Sequence, residues 1–114
     1  QWAPRASAMI VIAGVMINEK GEERMQSLYD CGIASANMSI EAIHRGYVVH
    51  QIGGFDRDRL RNDLLLDVGI NPIAILVIGK QAKPESLDSD ELIGREVAPR
   101  SRRPLSELIL ALDI

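Results

Sequence analysis

Three apolar runs, separated by two stretches with helical spacing, organise the chain. Residues 9–17 are almost continuously apolar and rich in β-branched side chains, a pattern typical of a strand that is covered on both faces. Runs over 47–52 and 72–78 predict a second and a third strand. Pro72 is tolerable in this scheme because it stands at the start of the third strand.

Helical periodicity fills the gaps between these strands. From about residue 22 to residue 45, apolar residues recur at spacings of three and four, which predicts a long helix. Gly46 then suits a left-handed helix cap, and Asp56 is a natural N-cap for a second, shorter helix. The order strand, helix, strand, helix, strand predicts an α/β or α+β layer around one sheet. Small residues within the long helix would let another helix approach closely: Gly32, Ala34, Ser35 and Ala36.

The rest of the chain is more polar. Residues 79–99 are predicted to form a surface loop. Residues 100–114 combine a basic stretch with apolar positions and predict a C-terminal arm, either a short helix or an extended tail. A length of 114 residues favours one domain spanning 1–114.

Composition narrows the classes of function. A net charge of −3 gives no general attraction to nucleic acid or anionic membranes, and 4% aromatic residues leave few platforms for stacking bases. The longest apolar run is too short for a bilayer, which needs about 20 residues. The single cysteine, Cys31, excludes an intrachain disulfide and a multi-thiolate metal site. We therefore expect a cytoplasmic protein with no nucleic-acid or membrane partner.

Two features point to ligand binding, although no catalytic or metal-ligating constellation is recognised. Gly53 and Gly54 separate a predicted strand from a helix N-terminus, where backbone without Cβ atoms approaches a flat ligand closely. A tight turn is the alternative explanation. Arg100 and Arg102 alternate along an extended segment, so that both guanidinium groups could clamp a phosphate. A solubilising basic patch is the alternative there.

Taken in order, the motifs resemble the FMN-dependent nitroreductase family. Asp-Cys-Gly-Ile-Ala-Ser-Ala-Asn-Met at 30–38 is similar to the family's long helix, and Ile-Gly-Gly-Phe-Asp at 52–56 is similar to the turn after the next strand. Arg-Ser-Arg-Arg-Pro-Leu at 100–105 is similar to its C-terminal basic motif. The family's N-terminal half has no counterpart here. The resemblance implies an α+β fold, a nitroreductase-like sheet flanked by helices and incomplete at the N-terminus.

The resemblance also implies a cofactor, FMN, and its binding site. The end of the second strand would line the flavin ring and two arginines would bind its phosphate: Gln51, Ile52, Gly53, Gly54, Arg100 and Arg102. NAD(P)H would deliver a hydride, and a nitro-aromatic, quinone or similar small-molecule acceptor would be reduced in a ping-pong cycle without a side-chain nucleophile. A flavin-dependent dehydrogenase on the same scaffold and a non-catalytic assembly subunit are the alternatives.

The resemblance further implies a homodimer or a complementing subunit. In the family, the long helix packs across a two-fold interface and the C-terminal arm reaches over the partner. The residues themselves agree with this expectation. Apolar positions surround much of the 22–45 helix, and three strands offer too little surface to cover them all.

Overall fold

The computed structural model describes residues 3–109, so the last part of the predicted C-terminal arm, 110–114, lies outside the described residues. The chain forms two compact units, Gln1–Ala82 and Lys83–Ile114. Within residues 3–109, no helix has both the length and the apolar character needed to cross a membrane. The described residues have the α+β fold that the sequence predicts, with three α-helices and a three-stranded antiparallel sheet.

The sheet of the first unit has its longest and most buried strand in the middle. Strands β1 (Ala8–Val15), β2 (Val48–Ile52) and β3 (Ile70–Gly79) are ordered β1-β3-β2, and both outer strands run antiparallel to β3. β3 has a neighbouring strand along each of its edges. Two of its side chains are almost completely buried, since Leu76 is 0% exposed and Val77 is 4% exposed. All three predicted strands are confirmed, and each differs from its predicted bounds by one or two residues.

Pro72 lies inside β3 instead of at its start, because the strand begins two residues earlier than its apolar run. Proline cannot donate to a ladder, so a position within a central strand requires an irregularity. The pairing supplies one: Ile12 pairs with Ala74 and Ala13 pairs with Pro72, which leaves Ile73 as the extra residue of a bulge. Pro72 is fully buried at this bulge.

Helix α1 (Gln26–His44) turns its small side chains toward the sheet. Cys31, Ser35 and Ala42 are buried, and Cys31 belongs to the same apolar cluster as Ile12 and Leu76. The opposite side of the helix carries a stripe of exposed apolar side chains, here called the outer face of α1: Tyr29, Ile33, Ile40 and Ile43. The usual arrangement of an amphipathic helix is therefore reversed in α1, since its largest apolar side chains face away from its own sheet.

The ends of the helices follow local chemistry. After α1, Gly46 adopts a φ of 75° and its N–H donates to the Ile43 carbonyl, as expected for the predicted glycine cap. Helix α2 (Arg57–Asp63) begins at the predicted cap, because the Asp56 carboxylate accepts a hydrogen bond from the Arg59 N–H at 2.9 Å.

Helix α2 is tied to the sheet by a polar contact. The Arg61 Nη2 donates to Asn71 Oδ1 at 2.6 Å, and Asn71 belongs to β3. The Arg61 Nε is buried and has no hydrogen-bond partner among the described residues. This contact joins the helix that follows the glycine turn to the central strand.

The second unit corrects the prediction of a surface loop over 79–99, because helix α3 (Asp90–Val97) lies within that stretch. Ser89 caps it: its Oγ accepts from the Leu92 N–H at 3.3 Å. An ion pair between Arg95 and Glu91 at 2.7 Å adds support along one face. The helix has only a few apolar residues and contains Gly94, so its periodicity is too weak to predict it.

Candidate functional site

The candidate site lies where β2 leaves the sheet. The last ladder pair of β2 joins Ile52 to Ile75, and the chain then passes through Gly53 and Gly54 to the N-terminus of α2. Ile52 is half-buried, whereas both glycines are exposed. The structure therefore brings the four predicted ring-lining residues, Gln51 to Gly54, together at one end of the first unit.

The glycine pair is not required by the backbone or by packing. Neither Gly53 nor Gly54 has a positive φ, and a Cβ built on either would meet no heavy atom within 4 Å. Two other glycines of the chain do have such reasons: Gly46 needs a φ of 75°, and a Cβ on Gly69 would overlap the Ile17 carbonyl oxygen. The tight-turn explanation therefore does not account for Gly53-Gly54. Exposed backbone with open space above it fits a flat ligand such as a flavin ring.

Side chains around the turn are held by specific contacts. The Arg57 Nη2 donates to the Gly53 carbonyl oxygen at 3.2 Å, and its guanidinium lies 5.2 Å from the centre of the Phe55 ring. The Gln51 Nε2 donates to Ser39 Oγ at 3.2 Å, which links the strand to α1. These contacts hold the turn from both sides while its two glycines stay open.

Sequence reasoning missed Ser39 and Arg57 as members of this site. Ser39 follows Cys31 and Ser35 at spacings of four, so it continues the small-residue side of α1 that faces the sheet. That periodicity was a usable signal for Ser39. No local pattern marks Arg57, because its contact depends on how the turn folds back.

Arg100 and Arg102, the predicted phosphate ligands, lie in the second unit between α3 and a 3-10 turn at Leu105–Glu107. Both side chains are exposed. The Arg102 Nη1 donates to the carbonyl of its neighbour Ser101 at 2.7 Å. Their role in binding a phosphate stays a prediction.

The single cysteine and the two histidines form no reactive centre in the part of the chain that the structure describes. Cys31 is a buried free thiol packed close to Gly14. His44 and His50 are exposed. Residues 3–109 hold no group of three or more His, Cys, Asp or Glu side chains arranged to bind a metal ion.

Comparison with known proteins gives relatives by sequence and by structure. No family model matches the chain. An uncharacterized 15.4 kDa protein in the ask 5′ region of Mycolicibacterium smegmatis is 30% identical over 110 residues, which cover 94% of this chain and 71% of that protein. The chain therefore shares a family with that protein.

Solved structures identify the fold. The crystal structure of an oxidoreductase containing FMN matches with a TM-score of 0.85 and 28% identity over 96% of this chain. A nitroreductase family protein from Clostridium difficile 630 matches with a TM-score of 0.68 at 22% identity, again over 96% of this chain. The chain spans 56% of the first structure and 62% of the second. The fold of this chain is therefore that of the FMN-containing oxidoreductase and nitroreductase family structures that it matches.

Proposed function

We propose that the protein is an FMN-dependent oxidoreductase that uses NAD(P)H to reduce nitro-aromatic, quinone or similar small-molecule acceptors. The observation that carries the proposal is the Gly53-Gly54 turn, whose glycines have no conformational or packing reason to be glycine. The match to an FMN-containing oxidoreductase supports the choice of flavin as the flat ligand.

The residues of this chain would bind and orient the cofactor. Exposed backbone at Gly53 and Gly54 would lie against the flavin ring, with Ile52 and Gln51 beside it. Arg100 and Arg102 would bind the phosphate through charge-assisted hydrogen bonds. When bound, FMN supplies the hydride chemistry that passes electrons from NAD(P)H to the acceptor. No side chain of the chain is assigned a catalytic step.

We also propose that the site is completed in an assembly, either a homodimer or a complex with a complementing subunit. The outer face of α1 supports this, because Tyr29 is 74% exposed, Ile40 is 65% exposed and Ile43 is 61% exposed. A contiguous apolar stripe of this kind is typical of an interaction surface. The proposed cytoplasmic location rests on the single cysteine and stays a prediction.

The proposal is tested on the purified full-length protein by its flavin absorption and by titration with FMN, followed by anaerobic reduction with NADH or NADPH. The expected result is a yellow protein that binds FMN stoichiometrically and loses flavin absorption on addition of the nicotinamide. A colourless protein that does not bind FMN would contradict the proposal and favour a non-catalytic assembly subunit.

A further inference from the structure

We propose that Ser39 is a positioning residue, which fixes the side-chain amide of Gln51 so that its carbonyl oxygen is presented to a ligand at the Gly53-Gly54 turn. The proposal rests on the proposed function for the identity of that ligand. Its geometric part concerns only Ser39 and Gln51, so the two can be tested separately.

The orientation of the Gln51 amide follows from the number of hydrogen-bond donors on the Ser39 hydroxyl and on the amide itself. The Ser39 Oγ lies 2.7 Å from the Ser35 carbonyl oxygen and donates to it. A hydroxyl has one hydrogen, so toward Gln51 the Ser39 oxygen acts only as an acceptor. The Gln51 amide must therefore turn its NH₂ group to Ser39, at 3.2 Å, and its Oε1 the other way. Among the described residues, no group donates to that Oε1.

Both residues stand on regular backbone, so their separation is set by the fold. Ser39 lies within α1 and its hydroxyl repeats a bond made one turn earlier, where Ser35 Oγ donates to the Cys31 carbonyl oxygen at 2.7 Å. Gln51 lies within β2 and pairs with the fully buried Leu76 of the central strand. The hydrogen bond that orients the Gln51 amide is consequently formed without a ligand, although the side chain is exposed.

A preset acceptor selects the ligand by its donor groups. An amide that turns freely can exchange the positions of its NH₂ and its Oε1, whereas in the held amide the contact with Ser39 uses one N–H and fixes Oε1 on the side away from Ser39. The ligand favoured at this point carries an N–H, as the pyrimidine part of a flavin ring does. Because the orientation exists before binding, the ligand does not bear the cost of ordering that side chain.

The test uses the full-length protein with Ser39→Ala, the rescue variant Ser39→Thr and the matched control Ser35→Ala. The control removes a hydroxyl with the same bond to the preceding turn but without contact to Gln51. The first measurement is the NMR chemical shift of the Gln51 side-chain NH₂ without cofactor. It should move in Ser39→Ala, return in Ser39→Thr and stay in Ser35→Ala.

The second measurement is the dissociation constant for FMN. Loss of one oriented hydrogen-bond partner should weaken binding by about three- to tenfold in Ser39→Ala, with recovery in Ser39→Thr. Gln51→Leu removes the amide without a substitution in α1 and should weaken binding to a similar extent. Adding Ser39→Ala to Gln51→Leu should then cause no further loss, as expected when one residue acts through the other.

The outcomes separate the two hypotheses. An unchanged Gln51 resonance in Ser39→Ala would overturn the role of Ser39. So would a double variant in which the losses of FMN affinity caused by the two single substitutions add together. A resonance that moves as expected in a protein that does not bind FMN would support the held amide and overturn the flavin assignment. If Ser39→Ala does not fold, Gln51→Leu decides: an FMN affinity equal to wild type in that variant would overturn the proposal.

Discussion

Replacing Gly53 and Gly54 with alanine is expected to change the stability of the protein and its affinity for a ligand in opposite directions. Replacing both with Ala should raise the free energy of unfolding by about 0.4–1 kcal/mol per site, because the native backbone accepts a Cβ and the unfolded chain loses entropy. The same change should weaken FMN binding, since the new methyl groups occupy the space above the turn. Denaturant unfolding and FMN titration measure the two effects.

The matched control for this double variant is Gly94→Ala in α3, another position where a Cβ meets no heavy atom within 4 Å. It should gain stability without a change in FMN affinity. FMN affinity equal to wild type in the Gly53→Ala, Gly54→Ala variant would contradict the assignment of this turn to the flavin ring.

Arg100 and Arg102 carry the phosphate prediction. Replacing both with Ala should weaken FMN binding by about 2–4 kcal/mol, taking about 1–2 kcal/mol for each charge-assisted contact. Arg95→Ala is the control, because Arg95 is an exposed arginine of the same unit whose partner is Glu91. Isothermal titration with FMN and with riboflavin, which lacks the phosphate, isolates the effect. A double variant that binds both ligands as wild type does would remove the phosphate assignment.

Among the contacts between elements, the approach of Gly69 to the residues that follow β1 leaves the least space for a side chain. The Gly69 carbonyl accepts from the Met16 N–H at 2.7 Å and from the Ile17 N–H at 3.2 Å. Gly69→Ala should lower the free energy of unfolding by about 1–3 kcal/mol, because its Cβ would overlap the Ile17 carbonyl oxygen. Gly32→Ala, in α1 with open space around it, should raise stability by about 1 kcal/mol. Equal effects of the two changes in thermal unfolding would contradict this account.

The elements of the first unit could be predicted from sequence because their signals are local. Apolar β-branched runs indicate the strands, and Asp56 and Gly46 indicate helix ends through chemistry that acts within one turn. Helix α3 was not predicted, because its segment has few apolar residues and contains Gly94, although the Ser89 cap and the spacing of Glu91 and Arg95 are local signals of a helix. The position of Pro72 within β3 depends on a bulge set by pairing with a distant strand, which no local pattern reveals.

The candidate site could also be predicted only where its residues are neighbours in sequence. Gln51, Ile52, Gly53 and Gly54 are consecutive, so a correct strand end was sufficient to place them together. Ser39 meets Gln51 only because α1 packs on the sheet with its small side chains inward. Such contacts depend on the rotation of a helix about its axis, which the reversed apolar pattern of α1 obscures.

For the whole molecule, the outer face of α1 predicts self-association or binding to a complementing subunit. Ile33→Lys with Ile40→Lys should dissociate that assembly, because two charges would be placed in an interface of about 2,000 Å² or more. The matched control is Leu65→Lys with Val68→Lys, two apolar residues that are each 89% exposed and lie outside α1. Sedimentation equilibrium measures the effect. A wild-type protein that is a stable 12.6 kDa monomer would contradict the prediction.

The strand order has a consequence for how the chain acquires its structure. β1 is synthesised before β2 and β3, yet Ala8 pairs with Ile78 and, among the described strands, β1 pairs only with β3. β2 is closer in sequence to β3, so their pairing closes a shorter loop and is expected to form first. Until β3 has left the ribosome, the apolar segment of β1 has no partner strand in the first unit, and it is therefore the part of the nascent chain on which chaperones should act.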